Sequence, residues 1–119
     1  MASTMPSGKL ISAVDVEELV DGKPARCSTV ELTFLPKQAS PPHRHPGPVY
    51  GYVLEGVYEF KIGGQAIRTL KAGETFYEAR MVLHEVSRNP SDSETTKVLA
   101  IVVYPRDTDQ LVIPEPSRK

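Results

Sequence analysis

Apolar and polar residues alternate along much of the chain with a period of two, the pattern of half-buried strands. In residues 28–34, Val30, Leu32 and Phe34 fall on one face, and Thr29, Glu31 and Thr33 on the other. Pro36 ends that run. Residues 49–54 form a second run, closed by Glu55-Gly56. In residues 57–62, Tyr58, Phe60 and Ile62 alternate with Glu59 and Lys61. Gly63-Gly64 is a turn signal, after which residues 65–70 return. Strand-like runs follow at 75–79, 83–88, 96–104 and 111–113, most of them separated by Gly, Pro, Asn or Asp. One stretch, 11–20, predicts a helix, with Val16, Leu19 and Val20 on one ragged face.

Short strands at this turn spacing predict an all-β fold, either a closed barrel or a two-sheet jelly roll, and closure removes aggregation-prone edges. The 119-residue chain fits one domain. The expected layout is a polar arm over 1–9, one barrel domain over 10–113, and a tail over 114–119.

Charge narrows the partners. There are 14 basic and 15 acidic side chains and no basic block, so nucleic acid is not an expected partner. No apolar run approaches bilayer length, so no membrane partner is expected either. The first nine residues lack the apolar stretch of a secretory signal. Cys27 is alone, which excludes an intrachain disulfide and fits a cytoplasmic setting. No P-loop, GxGxxG or CxxC is present.

The chain has only three histidines. His43 and His45 are two apart, so in extended backbone both imidazoles project from one face. His84 lies beside another strand-like run, which a barrel can bring to the same interior point. Imidazole is the commonest side-chain metal ligand. A His-x-His pair by itself is a weak signal; the flanking residues strengthen it.

Those flanks resemble the cupins, specifically the small single-domain, type-2 members with an RmlC-like jelly roll. The resemblance runs from about Pro41 to Val103. The family's first motif has two histidines, a carboxylate and, after six residues, a glycine. Here it reads His43-Arg44-His45, Val49 and Gly56, with a typical Tyr52-Val53-Leu54-Glu55-Gly56 ending. The second motif has a glycine, a Pro-x-Gly turn, a histidine and an asparagine. Here Gly73 and His84 match, Asn89 falls near the last position, and Ala79 and Met81 replace the turn's proline and glycine. All three histidines fall on the family's ligand positions. Val49 stands where the family carries its glutamate ligand. The loss of the turn glycine predicts a different turn shape, with Met81 near the pocket mouth.

The resemblance implies a small antiparallel jelly-roll barrel, with one divalent metal ion (Fe, Zn, Ni or Mn) on His43, His45 and His84. A three-histidine site carries about one more positive charge than a site with a carboxylate. It favours an anionic chelating substrate such as an enolate or catecholate. In the family, three-histidine iron sites are associated with dioxygenases. The expected function is therefore a metal-dependent, dioxygenase-like enzyme acting on a small enolisable or phenolic oxygenated molecule. The alternatives are a non-redox lyase or isomerase (a dehydratase or decarboxylase) using the metal as Lewis acid, and a non-catalytic small-ligand binder.

Val49, Tyr58, Phe60 and Met81 are the expected pocket residues, although core packing alone accounts for Tyr58 and Phe60. Glu78, Arg80 and Tyr50 are weaker catalytic candidates. Glu78 qualifies only if it faces inward, Arg80 only if it meets a substrate carboxylate, and Tyr50 only if a bulge reverses its parity. Glu85 opposes His84 in parity and Arg44 lies between two inward histidines, so both should face outward. Cys27 reads as a small buried hydrophobe. A homodimer is expected, through 11–14 or 111–113.

Overall fold

The computed structural model describes residues 5–116. Among them the chain forms ten strands and no helix. They are β1 (Ser7–Val20), β2 (Lys23–Phe34), β3 (His43–Arg44), β4 (Val49–Glu55), β5 (Val57–Ile62), β6 (Arg68–Lys71), β7 (Thr75–Glu78), β8 (His84–Arg88), β9 (Thr96–Pro105) and β10 (Ile113–Pro114). Two five-stranded sheets result, in the orders β1-β2-β9-β4-β7 and β10-β3-β8-β5-β6. The fold is an all-β jelly roll.

The alternation read from the sequence sorts residues to the two faces. On β4, Val49, Gly51 and Val53 are buried while Tyr50, Tyr52 and Leu54 are exposed. On β5, Tyr58 and Phe60 point inward. With Phe34, Val53, Leu70, Phe76 and Val98 they form the main core, each large side chain adding roughly 2 kcal/mol through burial. A smaller cluster joins Val49, Val102 and Tyr104, with Ala100 and Leu111 against it. Gly51 is required where it stands: a Cβ there would lie 2.0 Å from Cζ of Phe76.

The helix expected over 11–20 is instead the body of β1. Asp21 and Gly22 both have positive φ, 55° and 73°, and join Val20 to Lys23 in a tight hairpin. An Asp-Gly dipeptide favours that turn strongly, because its backbone twist matches the flanking strands. The ladder shifts register between Leu10 and Ser12 and again between Val16 and Leu19. The second shift falls between Val16 and Leu19, so an extended strand accommodates the spacing of Val16, Leu19 and Val20 that reads as helical.

The strand also begins earlier than expected. Ser7, Gly8 and Lys9, read above as part of an arm, pair with Thr33, Leu32 and Glu31. At the other end Pro114 pairs with His43, and the backbone N–H of Glu115 donates to the carbonyl of Pro42. The remainder of the expected arm and tail, 1–4 and 117–119, lies outside the described residues.

Candidate metal centre

β3 is only two residues long, yet it places His43 directly opposite His84 of β8. Opposed residues in an antiparallel pair share a face, and the two rings lie 4.9 Å apart between centroids. His45, two residues on, brings its ring within 4.8 Å of His43. One nitrogen from each of the three imidazoles lies within 4.8 Å of the others. His43 and His84 are buried, and His45 is half-buried.

Two of the rings are oriented by backbone. Nδ1 of His43 lies 2.7 Å from the carbonyl oxygen of Pro41, and Nδ1 of His45 lies 2.7 Å from that of Leu111. A carbonyl only accepts, so each Nδ1 carries a proton, and in the neutral imidazole Nε2 is then the atom with the lone pair. This is the usual outer support of a metal-binding imidazole. Burial above all holds His43 below its ordinary pKa, with the Pro41 carbonyl opposing it, so the neutral donor form is favoured. Pro41, Pro42, Pro46 and Pro48 stiffen the segment. Gly47 lets it pass against β9, because a Cβ there would lie 1.6 Å from the Val103 carbonyl oxygen.

Glu78 lies beside the three histidines. Its side chain is 3% exposed, and Oε1 lies 3.2 Å from Nδ1 of His84 and 3.7 Å from Nε2 of His45. The inward-facing requirement set for Glu78 is met, since β7 buries Phe76 and Glu78 and exposes Tyr77. Three buried side-chain polar atoms among the described residues have no hydrogen-bond partner: Glu78 Oε1, His84 Nδ1 and His84 Nε2. All three belong to this one cluster. Buried polar atoms are rarely left unpaired. A divalent cation takes up imidazole and carboxylate lone pairs together, so this donor set fits the metal that the motifs imply.

The other expected site residues divide. Phe60 packs against His84, ring centroids 4.9 Å apart, and forms an apolar wall of the cluster. Tyr58 lies deeper in the core, its hydroxyl 2.6 Å from Oγ of Ser87. Val49 is buried in the smaller apolar cluster. Tyr50 is 52% exposed on the outer face, as its parity requires, and does not join the histidines. Arg80 also turns away, with a guanidinium nitrogen 3.6 Å from Asp21. Glu85 pairs with Lys61 at 2.6 Å. Arg44 reaches Glu115 and donates to the carbonyl of Met81. Cys27, expected to be buried, is half-exposed.

Met81 sits on the turn before β8. Its φ of 64° is the left-handed conformation that glycine adopts most easily. The turn is closed by the Val82 N–H donating to the Ala79 carbonyl at 3.1 Å. A methionine therefore bears the strain of a left-handed position in this turn.

Comparison with known proteins gives the class. The family model of the cupin domain matches residues 30–102. The chain belongs to this family. A protein with a double-stranded β-helix domain from Klebsiella pneumoniae superposes with a TM-score of 0.69 at 17% identity, over 97% of this chain and 90% of that one. An oxalate oxidase, solved with the substrate analogue glycolate, gives 0.56 at 28% identity over 64% of this chain. The DMSP lyase DddQ from Ruegeria pomeroyi gives 0.68 at 17% identity over 95% of this chain. This chain spans only 41% of the oxalate oxidase and 54% of the lyase. A search of curated proteins finds no match to the sequence. Among the described residues no helix is long and apolar enough to cross a membrane.

Proposed function

We propose that this cupin is a metal-dependent enzyme acting on a small oxygenated organic molecule, with dioxygenase-type oxidation of an enolisable or phenolic substrate as its reaction. One observation carries the reading: three imidazole donors lie within 4.8 Å of one another, two of them oriented by backbone carbonyls. When bound, a divalent ion supplies Lewis acidity and open positions for substrate, and iron adds oxidation by dioxygen. His43, His45 and His84 would hold it. Phe60, packed on His84, keeps water from the inner side of the cluster, and His45, the more exposed ring, marks the side of entry. Met81, 38% exposed, sits on the adjoining turn, its backbone N–H donating to the His45 carbonyl.

A second reading, a non-redox lyase or isomerase, is favoured by the buried carboxylate of Glu78, a place for a substrate proton beside the imidazoles. The two readings separate by oxygen dependence. Protein loaded singly with Fe2+, Zn2+, Ni2+ or Mn2+ is offered a panel of β-diketones, catechols and α-hydroxy acids. Oxygen uptake with iron supports the first reading. Turnover unchanged without oxygen replaces it with the second. No turnover with any metal overturns both.

We further propose a homodimer and a cytoplasmic setting. Leu10, Ile11, Val14 and Leu19 are exposed on β1, an edge strand paired only with β2, which supports association through β1. A monomer mass in sedimentation equilibrium removes the dimer. The unpaired Cys27 supports a reducing compartment.

A further inference from the structure

In β4 and β7, Val49 and Glu78 are direct cross-strand partners, so their side chains leave the sheet on the same face. Val49 is the position where the resemblance calls for a carboxylate, and it carries an isopropyl group instead. Glu78 holds its carboxylate one strand away, at nearly the same height along the ladder. The histidines at 43 and 84 belong to the opposite sheet. The carboxylate therefore faces them across the interior.

We infer that Glu78 is the fourth protein ligand of the metal, supplying from β7 the carboxylate that β4 lacks. The inference rests on the metal-binding reading above and adds a donor to it. Four observations support it. The Glu78 side chain is 3% exposed, so water does not solvate its charge. Its Oε1 has no hydrogen-bond partner. That same oxygen lies 3.2 Å from one imidazole and 3.7 Å from another, within the reach of a shared ion. Val49 and its neighbours Val102, Tyr104 and Leu111 are apolar or turned to other partners, so on that side of the site no charged group meets Glu78.

The inference also refines the substrate. Three neutral imidazoles leave a divalent ion with two positive charges, whereas a carboxylate ligand leaves one. A monoanionic chelate, such as an enolate or a phenolate, then makes the buried site neutral. A dianion leaves it with an uncompensated negative charge, which burial disfavours. Substrates that bind as monoanions are therefore the matching class.

The test uses Co2+ alone, followed by calorimetry and by its visible spectrum, on the whole chain. Glu78→Gln keeps the size of the side chain and a hydrogen-bond acceptor but removes the anionic donor. Loss of an outer-shell partner typically lowers metal affinity 10- to 100-fold. Loss of a ligand should exceed about 100-fold and change the spectrum. The paired variant Glu78→Val with Val49→Glu moves the carboxylate back across the ladder and should recover affinity to within about tenfold of the parent. Folding of each variant is checked by circular dichroism. If the paired variant does not fold, Glu78→Gln decides alone. A Glu78→Gln protein with an unchanged spectrum, or an affinity loss of less than about 100-fold, overturns the inference and leaves the three-histidine site standing. A parent chain that takes up no Co2+ overturns the metal reading itself.

Discussion

The backbone N–H of Met81 donates to the carbonyl of His45 across 2.9 Å, tying the turn before β8 to the segment that carries two imidazoles. Arg44 strengthens the tie by donating to the Met81 carbonyl at 2.8 Å. The joint holds Met81 at a φ of 64°, which a non-glycine residue adopts at a penalty of about 1 kcal/mol. Met81→Gly should relieve that strain while keeping both hydrogen bonds. The expected outcome is an increase in unfolding free energy of about 1 kcal/mol by urea titration, with metal uptake unchanged. A decrease would show that packing of the methionine side chain outweighs the backbone strain.

Gly51 has the opposite character. Its missing Cβ makes room for Phe76, whose ring lies 4.6 Å from that of Phe60, which in turn packs on His84. Gly51→Ala should push Phe76 off its position and destabilise the fold by roughly 1–3 kcal/mol, the usual range for overpacking. The same urea titration reads it. A neutral substitution would mean that the Phe76 ring rotates away without disturbing its neighbours.

Much of this architecture is legible in the alternation of side chains. The buried positions of β4 and β5 follow from Val49, Val53, Tyr58 and Phe60 alone. β1 is harder, because two register shifts break its period and its apolar residues then mimic a helical face. The Asp21-Gly22 turn was the better signal there, since the dipeptide needs positive φ at both positions. The cluster of histidines is legible from motif spacing. The place of Glu78 is only half legible: parity after Phe76 turns it inward, but its pairing with Val49 depends on register between strands distant in sequence. The left-handed Met81 is legible only from the motif's glycine position, because the hydrogen bonds that hold it come from Arg44 at the end of β3 and from His45 just after it.

Tyr58 and Ser87 share a buried hydrogen bond of 2.6 Å between their hydroxyls. Tyr58→Phe leaves the Ser87 hydroxyl without its partner and should cost about 1–3 kcal/mol. Adding Ser87→Ala removes the stranded group, so the double variant should lose less than the sum of the two single ones. A double-mutant cycle with zero coupling would refute the bond's contribution.

The metal-free protein should lose stability on acidification. Burial holds His43 below its ordinary 6.5, so the unfolded chain binds its proton first as pH falls. The sign follows from linkage: the stabilising contribution is whole above 6.5 and is lost as pH drops from there toward the lower folded-state value. Denaturation midpoints in the presence of a chelator should fall between pH 7.5 and pH 5. His43→Gln should flatten that fall. An equally steep fall in the variant would assign the effect to other groups.

The convergence of His43, His45 and His84 on a shared cation is tested most directly by metal stoichiometry. Protein stripped with a chelator and titrated with Zn2+ should bind one ion per chain by calorimetry, and His84→Ala, folded by circular dichroism, should lose at least 100-fold in affinity. A parent chain that binds no ion, or a His84→Ala chain that binds it equally well, would contradict the metal centre.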